Sequence, residues 1–243
     1  MNRRQAIGVA AASLGAAAVP ALASEPSQSI QAVPRLAVRR DSPIVVAFVI
    51  GEMANVMDMS GSWEVFQDST ADGWNTGSFT LYTIADGRAP LKATGGLALV
   101  PTYAFNDTNV PQPNVIVMGA QGQHTKEKIA WIREASTHAD VVMSVCTGAF
   151  LLAQTGLIDG LSATTHHDFY DSFSKKFPSI KLVRDVRYVE NPGGKFCSAG
   201  GITSGMELAF RVVERYFGQK TPAQTAYYME YRRSSTPPTQ ASA

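Results

Sequence analysis

Four short segments carry the architecture in their hydrophobic pattern. "PIVVAFVI" (43–50), "FTLYTIA" (79–85), "NVIVMG" (114–119) and "DVVMSV" (140–145) are rich in β-branched residues and almost continuously apolar. A strand with one wet face alternates apolar and polar residues, whereas a strand covered on both faces does not need to. Such runs therefore predict a parallel sheet between two helical layers.

Between and after them the period changes. "SGSWEVFQDS" (60–69), with Ser60 in the cap position, and "TKEKIAWIREASTHA" (125–139), with Ile129, Ile132 and Arg133 at helical spacing, predict helices. "TGAFLLAQTG" (147–156) predicts another, stopped by Gly156, and is followed by the turn "IDG" and the short segment "SATTHH" (162–167). "DFYDSFSKKF" reads as a surface helix ended by Pro178, and the chain from Val183 to Gly201 as two strands joined at Pro192-Gly193-Gly194. "TSGMELAFRVVERYFG" (203–218) is strongly amphipathic, and a last helix covers "PAQTAYYMEYRR" (222–233). No repeat is visible. Strands alternating with helices predict an α/β fold, a parallel-sheet sandwich with helices on both faces.

One junction in this pattern holds chemistry. "SVCTG" (144–148) joins a buried strand to a helix, with small residues two positions either side of Cys146. That form suits a strand-to-helix nucleophile elbow, a strained turn that lifts one side chain to the top of the sheet, where α/β folds place their ligand sites. There the N–H groups of the next helix would lower the thiol pKa and stabilise an oxyanion, so Cys146 is expected to be the reactive thiol. Against this stands the ordinary role of cysteine as a small buried hydrophobe. Cys197, inside a strand pattern, reads as buried packing.

Composition narrows the partners. The 243 residues are 45% hydrophobic and 17% charged, with 21 Lys and Arg against 20 acidic residues. Nothing in that balance would recruit nucleic acid or an anionic membrane surface, so a small neutral organic partner is expected. The first residues, "MNRRQAIGVAAASLGAAAVPALAS", pair Arg3 and Arg4 with a weakly apolar run and an Ala21-Leu22-Ala23 cleavage site. They predict a twin-arginine signal over 1–23 and a periplasmic protein. Cleavage would leave 19 basic against 20 acidic residues. Residues 24–42 then read as a flexible leader, 43–232 as one domain and 233–243 as a disordered tail. Two cysteines permit one bridge at most, and a chain exported folded need not rely on it.

"MDMSGSWEVF", "VIVMGAQG", "SVCTGAFLLAQTGLIDGLSATTHH" and "SAGGITSGMELAF", in this order, resemble the ThiJ/PfpI superfamily, whose fold is like that of class I glutamine amidotransferases, and within it the isocyanide hydratase branch. The resemblance runs from about Pro43 to Arg232. It implies Cys146 as nucleophile and Asp58 as the acidic residue over it, which supplies the proton. An N-cap for a helix beginning near Gly61 is the other reading of Asp58. Thr147 would offer its N–H to an oxyanion hole, with the second donor at Gly119 or Ala120, where family members often carry two glycines. His166, 20 residues after Cys146, matches a superfamily histidine: a dyad partner or a structural hydrogen-bonder.

The implied reaction adds water to R–N≡C to give an N-formamide, without a cofactor, in an enzyme expected to be a homodimer. Trp63 and the Tyr227, Tyr228 and Tyr231 group would accept the R group or pack the core. Two further readings of the chain remain. A non-enzymatic redox or small-molecule sensor would use the same cysteine. A transcriptional regulator would need a helix-turn-helix module, and the 25 residues after Gly218 are too few for one. His166-His167-Asp168 is expected to point its side chains apart, which argues against a metal site, and "AGGITSG" lacks the lysine of a phosphate loop.

Overall fold

A computed structural model describes residues 33–38, 42–72 and 78–233. In chain order the strands are β1 (Ile44–Val49), β2 (Phe79–Ala85), β3 (Leu91–Lys92), β4 (Ala98–Leu99), β5 (Tyr103–Ala104), β6 (Val115–Met118), β7 (Val141–Val145), β8 (Ser162–Ala163), β9 (Lys181–Leu182), β10 (Tyr188–Glu190) and β11 (Phe196–Ala199). The helices are α1 (Val56–Asp68), α2 (Lys126–Ser136), α3 (Gly148–Gln154), α4 (Tyr170–Lys176), α5 (Ser204–Phe217) and α6 (Lys220–Tyr228). Seven strands make one sheet in the order β10-β11-β7-β6-β1-β2-β5, while β3 pairs with β4 and β8 with β9 outside it. Within the sheet every pairing is parallel except the β10–β11 hairpin turned at Pro192-Gly193-Gly194.

The continuous apolar runs have the cause the pattern suggested. In β1, Val46 and Phe48 face one core, with α1, α5 and α6, while Ala47 and Val49 face a second core, with α2, α3 and α4. In β6, Val115 and Val117 divide from Ile116 and Met118 in the same way. Each fully buried valine, leucine or phenylalanine contributes about 1.5–3 kcal/mol, so two-sided burial makes these strands the centre of the fold.

Four boundaries differ from expectation, each for a local reason. Helix α1 starts at Val56, because Asn55 is its cap and its Oδ1 accepts the N–H groups of Met57 and Asp58 at 3.1 and 3.3 Å. Ser60 therefore lies inside the helix. Helix α6 stops at Tyr228, and Glu230 turns the chain with φ +52°. The leader is not free throughout: Leu36 donates its N–H to Arg215 O at 2.9 Å, Arg215 Nε donates to Pro34 O at 3.2 Å, and Leu36 and Val38 pack on the core. Arg233 likewise belongs to the fold, its guanidinium 5.4 Å over the Phe210 ring. The signal read over 1–23 and the tail beyond Arg233 lie outside the described residues. Among the described residues no helix is long and apolar enough to cross a membrane.

Candidate active site

Strand β7 ends at Val145 and α3 begins at Gly148, leaving Cys146 in the turn with φ +59°. A residue other than glycine held there costs on the order of 1–3 kcal/mol, so the surroundings must impose it. They do. The Cys146 N–H donates to Ala199 O and Gly200 O at 3.2 and 2.9 Å, and its carbonyl accepts the Thr165 hydroxyl at 2.9 Å. At Gly148 a Cβ would stand 2.2 Å from Met118 O, which is why the second position after the cysteine has no side chain. The elbow read from "SVCTG" is thus present, with Cys146 only 5% exposed.

Asp58 comes to the cysteine from the first turn of α1. Its side chain is fully buried, Oδ2 accepts the Ala120 N–H at 2.8 Å, and Oδ1 has no hydrogen-bond partner. Because Asn55 caps the helix, the capping role for Asp58 is excluded. Gly119 lets the carboxyl in: a Cβ there would lie 2.7 Å from Asp58 Cβ. Burial raises the Asp58 pKa to about 6, although the Ala120 N–H and the Cys146 thiol both favour its charged form.

The thiol corrects an expectation. Cys146 was expected to titrate low; instead burial, and then the Asp58 charge, push it up to about 11. The N–H groups of Thr147 and Ile202 reach the sulfur and pull the other way, and they lose. Helix α3 has only 7 residues, a weak dipole to set against desolvation beside a carboxylate. At neutral pH the resting pair is therefore a protonated thiol beside a mostly ionised carboxylate, coupled so that proton transfer between them is the natural step.

Other expected residues fall differently. Thr147 does direct its N–H at the site, toward the sulfur. Ala120 is not a free oxyanion donor, since its N–H holds Asp58. No hydrogen bond joins His166 to Cys146 among the described residues: His166 starts a short helical turn, its Nδ1 accepting the Asp168 N–H at 3.2 Å, and its ring fills the space beside Gly201 and stacks on His167 at 4.3 Å. The expectation that His166, His167 and Asp168 point apart is also corrected: the Asp168 carboxylate lies 3.7 Å from His166 Nδ1 and 3.3 Å from His167 Nε2, and one ligand atom from each residue lies within 4.8 Å of the others. Trp63 packs on Phe48 with ring centroids 5.0 Å apart and donates to Gln67, and Tyr227 and Tyr228 stand exposed. Tyr231 stacks on Phe210. Cys197 is buried and free, its thiol donating to Gly194 O at 3.3 Å.

Two contributors escaped the sequence reading. Ile202, at φ +47°, turns its N–H toward the sulfur, and Thr165 braces the elbow carbonyl. Isoleucine rarely adopts that backbone, so only the glycines before it hinted at an unusual turn.

Two cavities flank the elbow. One, of about 550 Å³, is lined by Thr165, Gly200 and Ile202, and the other, of about 480 Å³, by Thr147 and Gln121. Both are in the range of small-ligand sites.

Comparison with known proteins agrees with this geometry. The chain is 26% identical over 190 residues to the isonitrile hydratase of Pseudomonas putida, covering 76% of this chain and 78% of that one. It is 24% identical over 144 residues to the HTH-type transcriptional regulator CdhR of Pseudomonas aeruginosa, but spans only 42% of that protein's length against 58% of its own. A crystal structure of a ThiJ/PfpI family protein from Pseudomonas syringae superposes with a TM-score of 0.68 at 21% identity, over 88% of this chain and 84% of the other. The DJ-1/PfpI family pattern matches residues 45–215, which include Asp58, Cys146 and both donors to the sulfur, and the chain belongs to that family.

Proposed function

We propose that this protein is a cofactor-independent hydratase of isocyanides, converting R–N≡C and water into an N-formamide. The observation that carries the reading is the pairing of a strained, buried cysteine with a buried carboxyl whose pKa, about 6, suits proton transfer in both directions near neutrality. The isonitrile hydratase of Pseudomonas putida, similar over most of both chains, supports the substrate class.

Each step balances. Cys146 Sγ bonds to the terminal carbon as Asp58 takes the thiol proton and passes it to that same carbon, giving the thioimidate R–N=CH–S. Water then attacks the carbon; one of its protons goes to the nitrogen and the other to Asp58, leaving the tetrahedral R–NH–CH(O⁻)–S. The tetrahedral intermediate collapses to R–NH–CHO, the C–S bond breaks, and the departing sulfur recovers its proton from Asp58. The Thr147 and Ile202 N–H groups stabilise charge on the sulfur as it leaves, the arrangement in which fixed dipoles act best. A raised thiol pKa suits such a concerted shuttle and disfavours a redox sensor, which needs standing thiolate.

Incubating the protein with a panel of alkyl and aryl isocyanides and following formamide by mass spectrometry tests the reading. Turnover of at least one is expected. A protein inert to the whole panel would overturn it.

A further inference from the structure

The cavity beside Thr147 has an uneven character. Phe150, one turn along α3, and Phe169 meet edge to face at 6.3 Å and form an apolar wall, with Phe169 43% exposed although it is large. Gln121 lines the cavity near the site. Lys176, at the end of α4, places its ammonium 6.0 Å over the Phe150 ring and 5.6 Å over Phe177, and has no ion pair among the described residues. His124 shares a 2.9 Å hydrogen bond with Gln154, and burial, with the charges of Lys128 and Lys176, lowers its pKa against the pull of that bond. No acidic residue lines this cavity, so its formal charge is that of Lys176 alone. The other cavity mixes Asp185 with Arg187.

We infer that the Thr147 cavity is the seat of the substrate's R group and that it selects an aromatic ring bearing a carboxylate. This rests on the hydratase reading. Addition brings the sulfur to the terminal carbon at an angle to the C≡N axis, so the R group of a carbon held at Cys146 between the Thr147 and Ile202 N–H groups lies to one side of the sulfur. Thr147, whose N–H reaches the sulfur, also lines the cavity, so the cavity adjoins that position. There a flat ring meets the Phe150 and Phe169 rings, and an anion on its far side meets the exposed Lys176 ammonium beside the Phe150 ring. A chain of nearly neutral overall charge sets no rule for the charge of one pocket.

The test compares phenyl isocyanide with 4-carboxyphenyl isocyanide as substrates. In parallel, binding of N-phenylformamide and N-(4-carboxyphenyl)formamide to Cys146→Ala protein is measured by calorimetry. The carboxylate should lower KM and Kd on the order of fivefold at low salt, the effect of one partly screened charge pair, and less at high salt. Lys176→Met should collapse the carboxyl-to-hydrogen ratio in both assays, while Lys175→Met, on the neighbouring exposed lysine, should leave it intact. Equal affinities for the two probes, or a preference that survives Lys176→Met, would overturn the inference. If the binding preference holds but neither isocyanide is hydrated, the hydratase reading alone fails. If both are hydrated with no advantage to the carboxylate, the aryl-acid inference alone fails.

Discussion

The Ala120 amide donates a 2.8 Å hydrogen bond to Asp58 Oδ2, while Oδ1 is buried without a hydrogen-bond partner. One oxygen is anchored and the other is unpaired. Asp58→Asn keeps the anchor, since the amide oxygen can accept from Ala120, and cannot carry the proton. Turnover of isocyanides should fall by about two to four orders of magnitude, the range for loss of a general acid–base group. Near-normal turnover in a folded variant would remove Asp58 from the mechanism.

The same substitution has a stability signature of opposite sign. The folded pKa of Asp58, about 6, lies above its ordinary value of 3.8. Its neutral form is therefore the one the fold prefers, and stability is lost as pH rises from about 4 through about 6. The full cost is on the order of 3 kcal/mol, from about 1.4 kcal/mol per unit. Asp58→Asn should melt higher than wild type at pH 7.5, and the gap should close by pH 4. A variant that melts lower at both values would contradict the burial argument.

Thiol reactivity follows from the Cys146 pKa of about 11. Alkylation by iodoacetamide should be slow at pH 7 and rise steeply above pH 9, with Cys146 modified before the fully buried Cys197. In Asp58→Asn the rise should move to lower pH, because the carboxylate that opposes the thiolate is gone. Fast labelling of wild type at pH 6 would show that the N–H donors outweigh burial.

Much of this was legible in advance, and the exceptions have causes. Continuous apolar runs disclosed β1, β2, β6 and β7 because burial on both faces removes alternation. "SVCTG" disclosed the elbow because only a glycine fits beneath Met118 O. The titration of Cys146 was misread, since desolvation depends on what covers the thiol, and that comes from α1 and the 200–204 loop rather than from its neighbours in sequence. Ile202 was missed for a related reason: its contribution is a backbone N–H, which no residue type announces.

Gly148→Ala tests the elbow directly. Its Cβ would meet the Met118 carbonyl at 2.2 Å, and backbone cannot swing aside as a side chain can. Destabilisation of at least about 1–3 kcal/mol in chemical denaturation is expected, the usual cost of overpacking. A neutral substitution would mean that the turn is looser than described.

Export is proposed from Arg3, Arg4 and the Ala21-Leu22-Ala23 site alone. Fractionation of the native host should recover a chain beginning near Ser24 outside the cytoplasm, and replacing both arginines by lysine should block its appearance there. An unprocessed cytoplasmic chain would refute the proposal.

The central claim is that Cys146 Sγ forms a bond to the isocyanide carbon. Rapid quenching of wild-type protein with a reactive isocyanide, followed by peptide mass mapping, measures that bond. The account predicts a transient adduct carrying the full mass of the isocyanide, because addition has no leaving group, on the peptide that contains Cys146. Formamide produced at the same rate by Cys146→Ser, or an adduct found only on Cys197, would contradict it.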